Sequence, residues 1–251
     1  VGTDSLSAEI QGDRNVAVGY AALEQQSNSS DIDVYNTAIG YFAGGAITAG
    51  VQNTIVGGLA GDALTHADFN VAVGFNSLGA ETRGERNVAI GNSALASQNN
   101  TSQNAIYNTA VGDSAGLSVT TGTENTFVGG LAGDAITTGD NNVAVGYQSL
   151  SADTLGERNA ALGAFALANQ NFTSSTQSYN TAVGYGAGIS ITTGDRNTFV
   201  GGLAGDGINT GVRNVALGYG ALSAEVKGNK TVAIGHNALS AQSNSGSVDA
   251  F

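Results

Sequence analysis

Few side chains here could carry chemistry. His66 and His236 are the only imidazoles, and there is no Cys. That leaves no thiolate nucleophile and no Cys-based metal site. The two histidines lie in repeats of different kinds with no matching partners, so each reads as a solvated turn or rim residue. No Ser recurs beside a base. An inward carboxylate pair, as in glycoside hydrolysis, would need a cleft. The closest approach to a metal motif is Gly129-Gly130-Leu131-Ala132-Gly133-Asp134-Ala135-Ile136-Thr137. Calcium rolls use Gly-Gly-x-Gly-x-Asp-x-apolar-x, but the fourth position is Ala here and again at Ala60 and Ala204. Calcium takes about six to eight oxygens, so a single carboxylate per copy (Asp62, Asp134, Asp206) reads as a turn. The expectation is no enzyme, no metal and no cofactor.

What positions these residues is a repeat. The phrase Asn-x-apolar-apolar-Gly, as in Asn142-Val143-Ala144-Val145-Gly146, recurs with its glycine at Gly19, Gly40, Gly57, Gly74, Gly91, Gly112, Gly129, Gly146, Gly163, Gly184, Gly201 and Gly218. Gly235 closes a variant that begins with Thr231, and Val1-Gly2 is the tail of another. The gaps read 17, 17, 21, 17 and sum to a super-period of 72, giving super-repeats 15–86, 87–158 and 159–230 with partial copies at both ends. Self-similarity at this scale signals stacked coils, here one repetitive segment over 1–251 that reads as an excerpt of a longer chain. Frequent glycine and an apolar spacing of two exclude helix, so the class is all-β, a parallel solenoid with about two short strands per coil.

The residue three beyond each anchor glycine is always Ala or Ser, from Ser5 to Ala238, and is expected to face a tight interior. The strand is apolar on both faces, the pattern of a sheet covered on both sides. At its middle position stand Ala89 and Ala144, growing to Ile55, Phe127 and Phe199 in other coils. A single coil has one interior, so these five are assigned to the outer face, against identical partner chains; exposed rows of Phe and Ile would otherwise be adhesive. Stacked Asn side chains are expected to bond up and down a ladder about 4.8 Å apart, and to take the left-handed conformation at the coil corner.

The extra four residues of the longer coil yield the polar segments Gln25 to Val34, Gln98 to Ile106 and Asn169 to Ser178. As surface loops on a rigid scaffold they are the candidate binding elements, with Gln25, Ser27, Asn28, Asp31, Gln98, Asn99, Asn100, Thr101, Asn169, Asn171, Phe172 and Thr173 as candidate contacts. A Thr column through Thr48, Thr65, Thr82, Thr120, Thr137, Thr154 and Thr192 is broken by Asn99 and Asn171, which favours hydroxyl ladders over an ice-binding plane. Doublets such as Asp13-Arg14, Glu85-Arg86, Glu157-Arg158 and Asp195-Arg196 read as exposed or interchain salt bridges. The net charge is −12, with eight Lys and Arg scattered one or two per repeat, so nucleic acid and anionic membranes are not expected partners.

Asn87-Val88-Ala89-Ile90-Gly91 and Thr231-Val232-Ala233-Ile234-Gly235 resemble the head repeats of trimeric autotransporter adhesins of the Yersinia adhesin type, which also look at home in bacteriophage tail fibres. The resemblance covers essentially the whole chain. It implies a left-handed parallel β-roll, three chains side by side, on an extracellular fibre at a bacterial surface or on a virion. It further implies attachment to a host receptor or surface glycan, with a purely structural shaft as the alternative. The family's repeats are nearer fourteen residues, whereas these are 17 and 21.

Overall fold

The computed structural model describes residues 1–28, 30, 32–224 and 227–242, and among them there is no helix. The chain divides into two compact units, Val1–Glu124 and Asn125–Phe251. Each is a solenoid of parallel strands. In the first, six strands stack in sequence order: Val16–Val18, Thr37–Ile39, Thr54–Val56, Val71–Val73, Val88–Ile90 and Thr109–Val111. In the second there are seven: Thr126–Val128, Val143–Val145, Ala160–Leu162, Thr181–Val183, Thr198–Val200, Val215–Leu217 and Val232–Ile234. The pairing is in register, phrase on phrase: Ala144 lies beside Phe127 on one side and Ala161 on the other.

Each strand is three residues long because the backbone is turned at both ends. The anchor glycine holds a φ that side chains rarely adopt, +131° at Gly146, and a Cβ there would meet the Gly163 carbonyl carbon at 2.6 Å and its oxygen at 2.7 Å. One coil can follow the next this closely only if the column is all glycine. At the other end the left-handed residue is not the Asn, as expected, but the one before it: Asn141 (φ 60°), Arg158 (φ 61°) and Tyr179 (φ 49°). The Asn instead sits wholly inside. The strand expected after each glycine is also replaced. Left-handed residues alternate there, as at Gln148 (φ 52°) and Leu150 (φ 51°), and the segment reaches the next coil through bonds such as Leu150 N–H to the Ala166 carbonyl, 2.9 Å.

The interior overturns one expectation. Ile55, Phe127, Phe199, Ala89 and Ala144 are all 0% exposed and point into their own winding, so they cannot form an interface between chains. The reason is a volume exchange. In the coils of Ala72, Ala89, Ala144 and Ala161 the wall carries buried Leu, at Leu78, Leu95, Leu150 and Leu167. Around Ile55 and Phe199 the wall is glycine both in their own coil and in the one before it, which carries Ala38 or Ala182. A Cβ on Gly188 would meet Phe199 Cδ2 at 2.8 Å, one on Gly205 would meet Phe199 Cδ1 at 2.5 Å, and one on Gly44 would meet Ile55 Cδ1 at 2.9 Å. The large ring occupies space that other coils give to leucine. The Ala three beyond the glycine faces the same interior, as at Ala60, Ala132 and Ala204.

The Asn column forms the expected ladder. Asn36 Oδ1 accepts the Asn53 backbone N–H at 2.8 Å and Asn53 Nδ2 at 3.2 Å, while Asn53 Nδ2 also donates to the Ala67 carbonyl at 2.8 Å. Asn142 repeats this in the second unit, its N–H bonded to Asn125 Oδ1 at 2.9 Å and its Nδ2 to the Gly156 carbonyl at 2.9 Å. Buried amides cost free energy unless every donor is met, and here the column ties strand to corner while leaving the buried amide nitrogen of Asn15, Nδ2, without a partner.

Candidate functional site

The three polar insertions do not stand off the scaffold as simple bumps. Each lies against the preceding coil through a short parallel pairing: Gly12–Asp13 with Ile32–Asp33, Gly156–Glu157 with Thr176–Gln177, and a single bridge from Glu85 to Ala105. Beneath each pairing sits a carboxylate that the sequence reading passed over. Glu81 is fully buried. Its Oε1 accepts the backbone N–H groups of Thr82 (2.9 Å), Arg83 (3.0 Å), Gly84 (2.7 Å) and Asn100 (3.0 Å). Its Oε2 accepts Gln98 Nε2 and Asn100 Nδ2, both at 2.8 Å. Gln98 Oε1 in turn accepts Asn108 Nδ2 at 2.9 Å, joining the staple to the Asn ladder.

The same device recurs at Glu9 and Asp153. Glu9 accepts Gly12 N–H at 2.7 Å, Gln26 Nε2 at 2.8 Å and Asn28 Nδ2 at 3.0 Å. Burial opposes its charged form, but these hydrogen bonds, led by Gly12, outweigh it and hold the carboxyl at about 2. Asp153 is more deeply placed and has fewer donors: Gln170 Nε2 (2.6 Å), Gly156 N–H (3.0 Å) and Phe172 N–H (3.1 Å). Phe172 stands where Asn28 and Asn100 supply an amide. Burial therefore prevails and pushes the Asp153 carboxyl up. The signal was present in sequence as an acid seven residues after Gly2, Gly74 and Gly146 with a Gln at the same place one coil later, but their adjacency exists only once coils stack.

This divides the candidate contacts. Asn28, Gln98, Asn100 and Phe172 are buried and serve the staple. Gln25, Ser27, Asn99, Thr101, Asn169, Asn171 and Thr173 face solvent. Asp31 lies outside the described residues. Asn99 and Asn171 are also engaged, accepting the Thr82 and Thr154 hydroxyls at 3.1 Å each. The Thr column is committed to the ladder too, with Thr65 Oγ1 donating to the Thr82 carbonyl at 3.0 Å and Thr137 Oγ1 to the Thr154 carbonyl at 3.0 Å.

The outward side chains of each strand are its first and third residues. Val18, Ile39, Ile90, Leu162, Leu217 and Ile234 are exposed, from 37% at Ile90 to 66% at Ile234. Just past the glycine come exposed aromatics, with Tyr20 stacked on Tyr41 (5.6 Å between centroids) and Tyr219 on His236 (5.6 Å). So the strands carry apolar residues on both faces as read, with Ala, Ile55 and the Phe positions inside and the third-position Val, Ile and Leu outside.

A second exposed line is formed by the left-handed residue before each Asn. In the first unit it reads Arg14, Tyr35, Gln52, Phe69, Arg86, Tyr107 and Glu124, and in the second Asn141, Arg158, Tyr179, Arg196, Arg213 and Lys230. Six of the eight basic residues thus belong to this column, two in the first unit and four in the second, which corrects the scattering inferred from sequence. Arginine and aromatic side chains meet along it. The Arg86 guanidinium lies 4.6 Å from the Phe69 centroid, that of Arg158 5.6 Å from Tyr179, and Arg158 Nη1 donates to Tyr179 Oη at 2.8 Å. Arg14 makes the corresponding hydrogen bond to Tyr35 and a salt bridge to Asp33 at 2.6 Å. Comparison with family models, with curated proteins and with solved structures returned no match.

Proposed function

We propose that the chain is a non-enzymatic segment of an extracellular homotrimeric fibre that attaches to a host receptor or cell surface. Its winding is left-handed, with coils of 17 and 21 residues in a super-repeat of 72. The observation that carries this reading is the outward ladder of Val, Ile and Leu on the strands of each unit, exposed to 41% at Ile39 and 44% at Leu217. A contiguous apolar face of this length on a lone chain favours association, and a parallel in-register sheet suits burial on both faces. Identical chains side by side supply the matching ladder on every turn. Repetition then multiplies weak surface contacts by avidity.

The test is the mass of the purified chain in solution, together with Ile90→Glu and Leu217→Glu. Three copies, falling to one in the substituted chain with strand content retained, is the expected result. A stable single copy of the unsubstituted chain would overturn the trimer. A second reading, a shaft whose recognition lies elsewhere, is favoured by the stapled insertions, since half of their candidate contacts are spent on the fold. Replacing Asn99, Thr101, Asn171 and Thr173 with Ser leaves the staples intact. Undiminished attachment would favour the shaft.

A further inference from the structure

We infer that the basic edge of the second unit is a binding site for an acidic polysaccharide. This deepens the attachment reading and rests on it. All five basic residues of that unit, Arg158, Arg196, Arg213, Lys227 and Lys230, are exposed. Four of them occupy the column of left-handed residues before the Asn ladder, on which Tyr179 separates Arg158 from Arg196. Their backbones are fixed. The N–H of Arg158 bonds the Asp140 carbonyl at 3.0 Å, that of Arg196 the Ser178 carbonyl at 2.6 Å, that of Arg213 the Asp195 carbonyl at 3.0 Å and that of Lys230 the Val212 carbonyl at 3.0 Å. Successive positions are therefore spaced by one strand separation, about 4.8 Å.

None of the described acidic groups of this unit is fully exposed. Asp153 is buried, Asp134 and Asp206 are half-buried beyond the anchor glycines, and Asp140, Glu157 and Asp195 are half-buried one residue before the cationic column. Asp195 closes a salt bridge to Arg196 at 2.9 Å. The residue before Arg213 is Val212, and the one before Lys230 is Asn229. Cationic tips thus project from a unit whose net charge is negative.

The geometry selects the ligand. Duplex nucleic acid carries a charge about every 1.7 Å and demands a broad basic surface, whereas this line is one residue wide with half-buried acids beside it. A linear glycan bearing a carboxylate or sulfate on every sugar or every second sugar has a charge spacing near one or two turns of the solenoid. Guanidinium groups fork to carboxylate or sulfate oxygens in a planar two-bond geometry. Tyr179, 45% exposed and braced by Arg158, offers a flat apolar face to the C–H side of a pyranose. The first unit lacks the run, since its two column arginines, Arg14 and Arg86, are separated by Tyr35, Gln52 and Phe69.

The experiment titrates the full chain with polygalacturonate, with dextran as the neutral control and with single-stranded and duplex DNA as competitors, at low and high salt. Binding to polygalacturonate that weakens with salt and is absent for dextran is expected. Arg196→Gln with Arg213→Gln should weaken it about tenfold, and Tyr179→Ala less, while Arg14→Gln with Arg86→Gln should leave it unchanged. Equal loss from the two arginine pairs would mean diffuse charge and overturn the site. So would no binding, or equal binding of dextran. DNA bound as tightly as polygalacturonate would overturn the ligand class. The mass of the same sample separates the two inferences. A trimer that ignores polygalacturonate sinks the site alone, and a monomer that binds it sinks the fibre reading alone.

Discussion

The two units wind the same ribbon and clothe it differently. Both stack three-residue strands between an all-glycine column and a buried Asn ladder. Yet the first carries three Lys and Arg against twelve Asp and Glu, a net −9, and the second five against eight, a net −3. The first fills its enlarged coil with Ile55 and staples its insertions with glutamates; the second uses Phe127 and Phe199 and an aspartate. Groups that face the interior can change only in compensated pairs, because close-packed volume must be conserved. Groups on the outer edge have no such partner and are free to set charge.

The hardest blow to a shared scaffold is at its glycines. Gly57→Ala in the first unit and Gly146→Ala in the second should each cost at least about 3 kcal/mol, since a left-handed conformation and a backbone clash coincide. A Cβ would meet Gly74 carbon at 2.7 Å in one case and Gly163 carbon at 2.6 Å in the other. Chemical denaturation measures both, and tolerance in either unit would break the equivalence. Next in size is the core exchange. Phe199→Ala should cost roughly 3–5 kcal/mol and Ile55→Ala roughly 2–5 kcal/mol. Adding Gly188→Leu to Phe199→Ala should recover about 2 kcal/mol, because it restores the Ala-plus-Leu packing of other coils. No recovery would mean that the two packings are not interchangeable.

The staples sharpen the comparison with opposite signs. Glu9 is lowered from 4.5 to about 2, so its contribution is present above 4.5 and lost as pH falls through 2. Asp153 is raised above 3.8 by burial, so its contribution is full below 3.8 and lost as pH rises through the elevated value. Stability against pH should show Glu9→Gln flattening the acid limb and Asp153→Asn flattening the decline above it. The same sign for both would refute the difference drawn from Asn28 and Phe172. Smallest of all are the exposed ion pairs. Removing Arg196–Asp195 should change stability by about 0.5 kcal/mol or less and removing the more exposed Arg14–Asp33 pair should leave it unchanged, and a larger loss would give these edges a structural role.

Much of the repeat was legible in the sequence. The spacing of Asn and Gly declares stacked parallel coils, and small residues such as Ala60 and Ala132 declare a narrow interior. The Asn ladder followed from the same periodicity, since identical residues at a fixed spacing come into register once coils stack. The position of Phe127 and Phe199 did not follow, because a strand that is apolar on both sides carries no mark of which side is inner. The mark lay elsewhere, in the glycines at Gly188 and Gly205 that make room for a ring.

By itself, then, the sequence determined what repeats: an all-β class, a glycine column, an Asn column and polar insertions at one coil in four. Only the tertiary structure decided what faces what. It turned the Phe side chains inward, brought Glu81 under Gln98 and Asn100 to fasten an insertion, and aligned Arg158, Arg196 and Arg213 in one column of the second unit. Periodicity fixes which residues meet between coils, because backbone pairing enforces the register. The inward or outward sense of a strand is settled by the volume available across the coil, and that belongs to residues on the opposite wall.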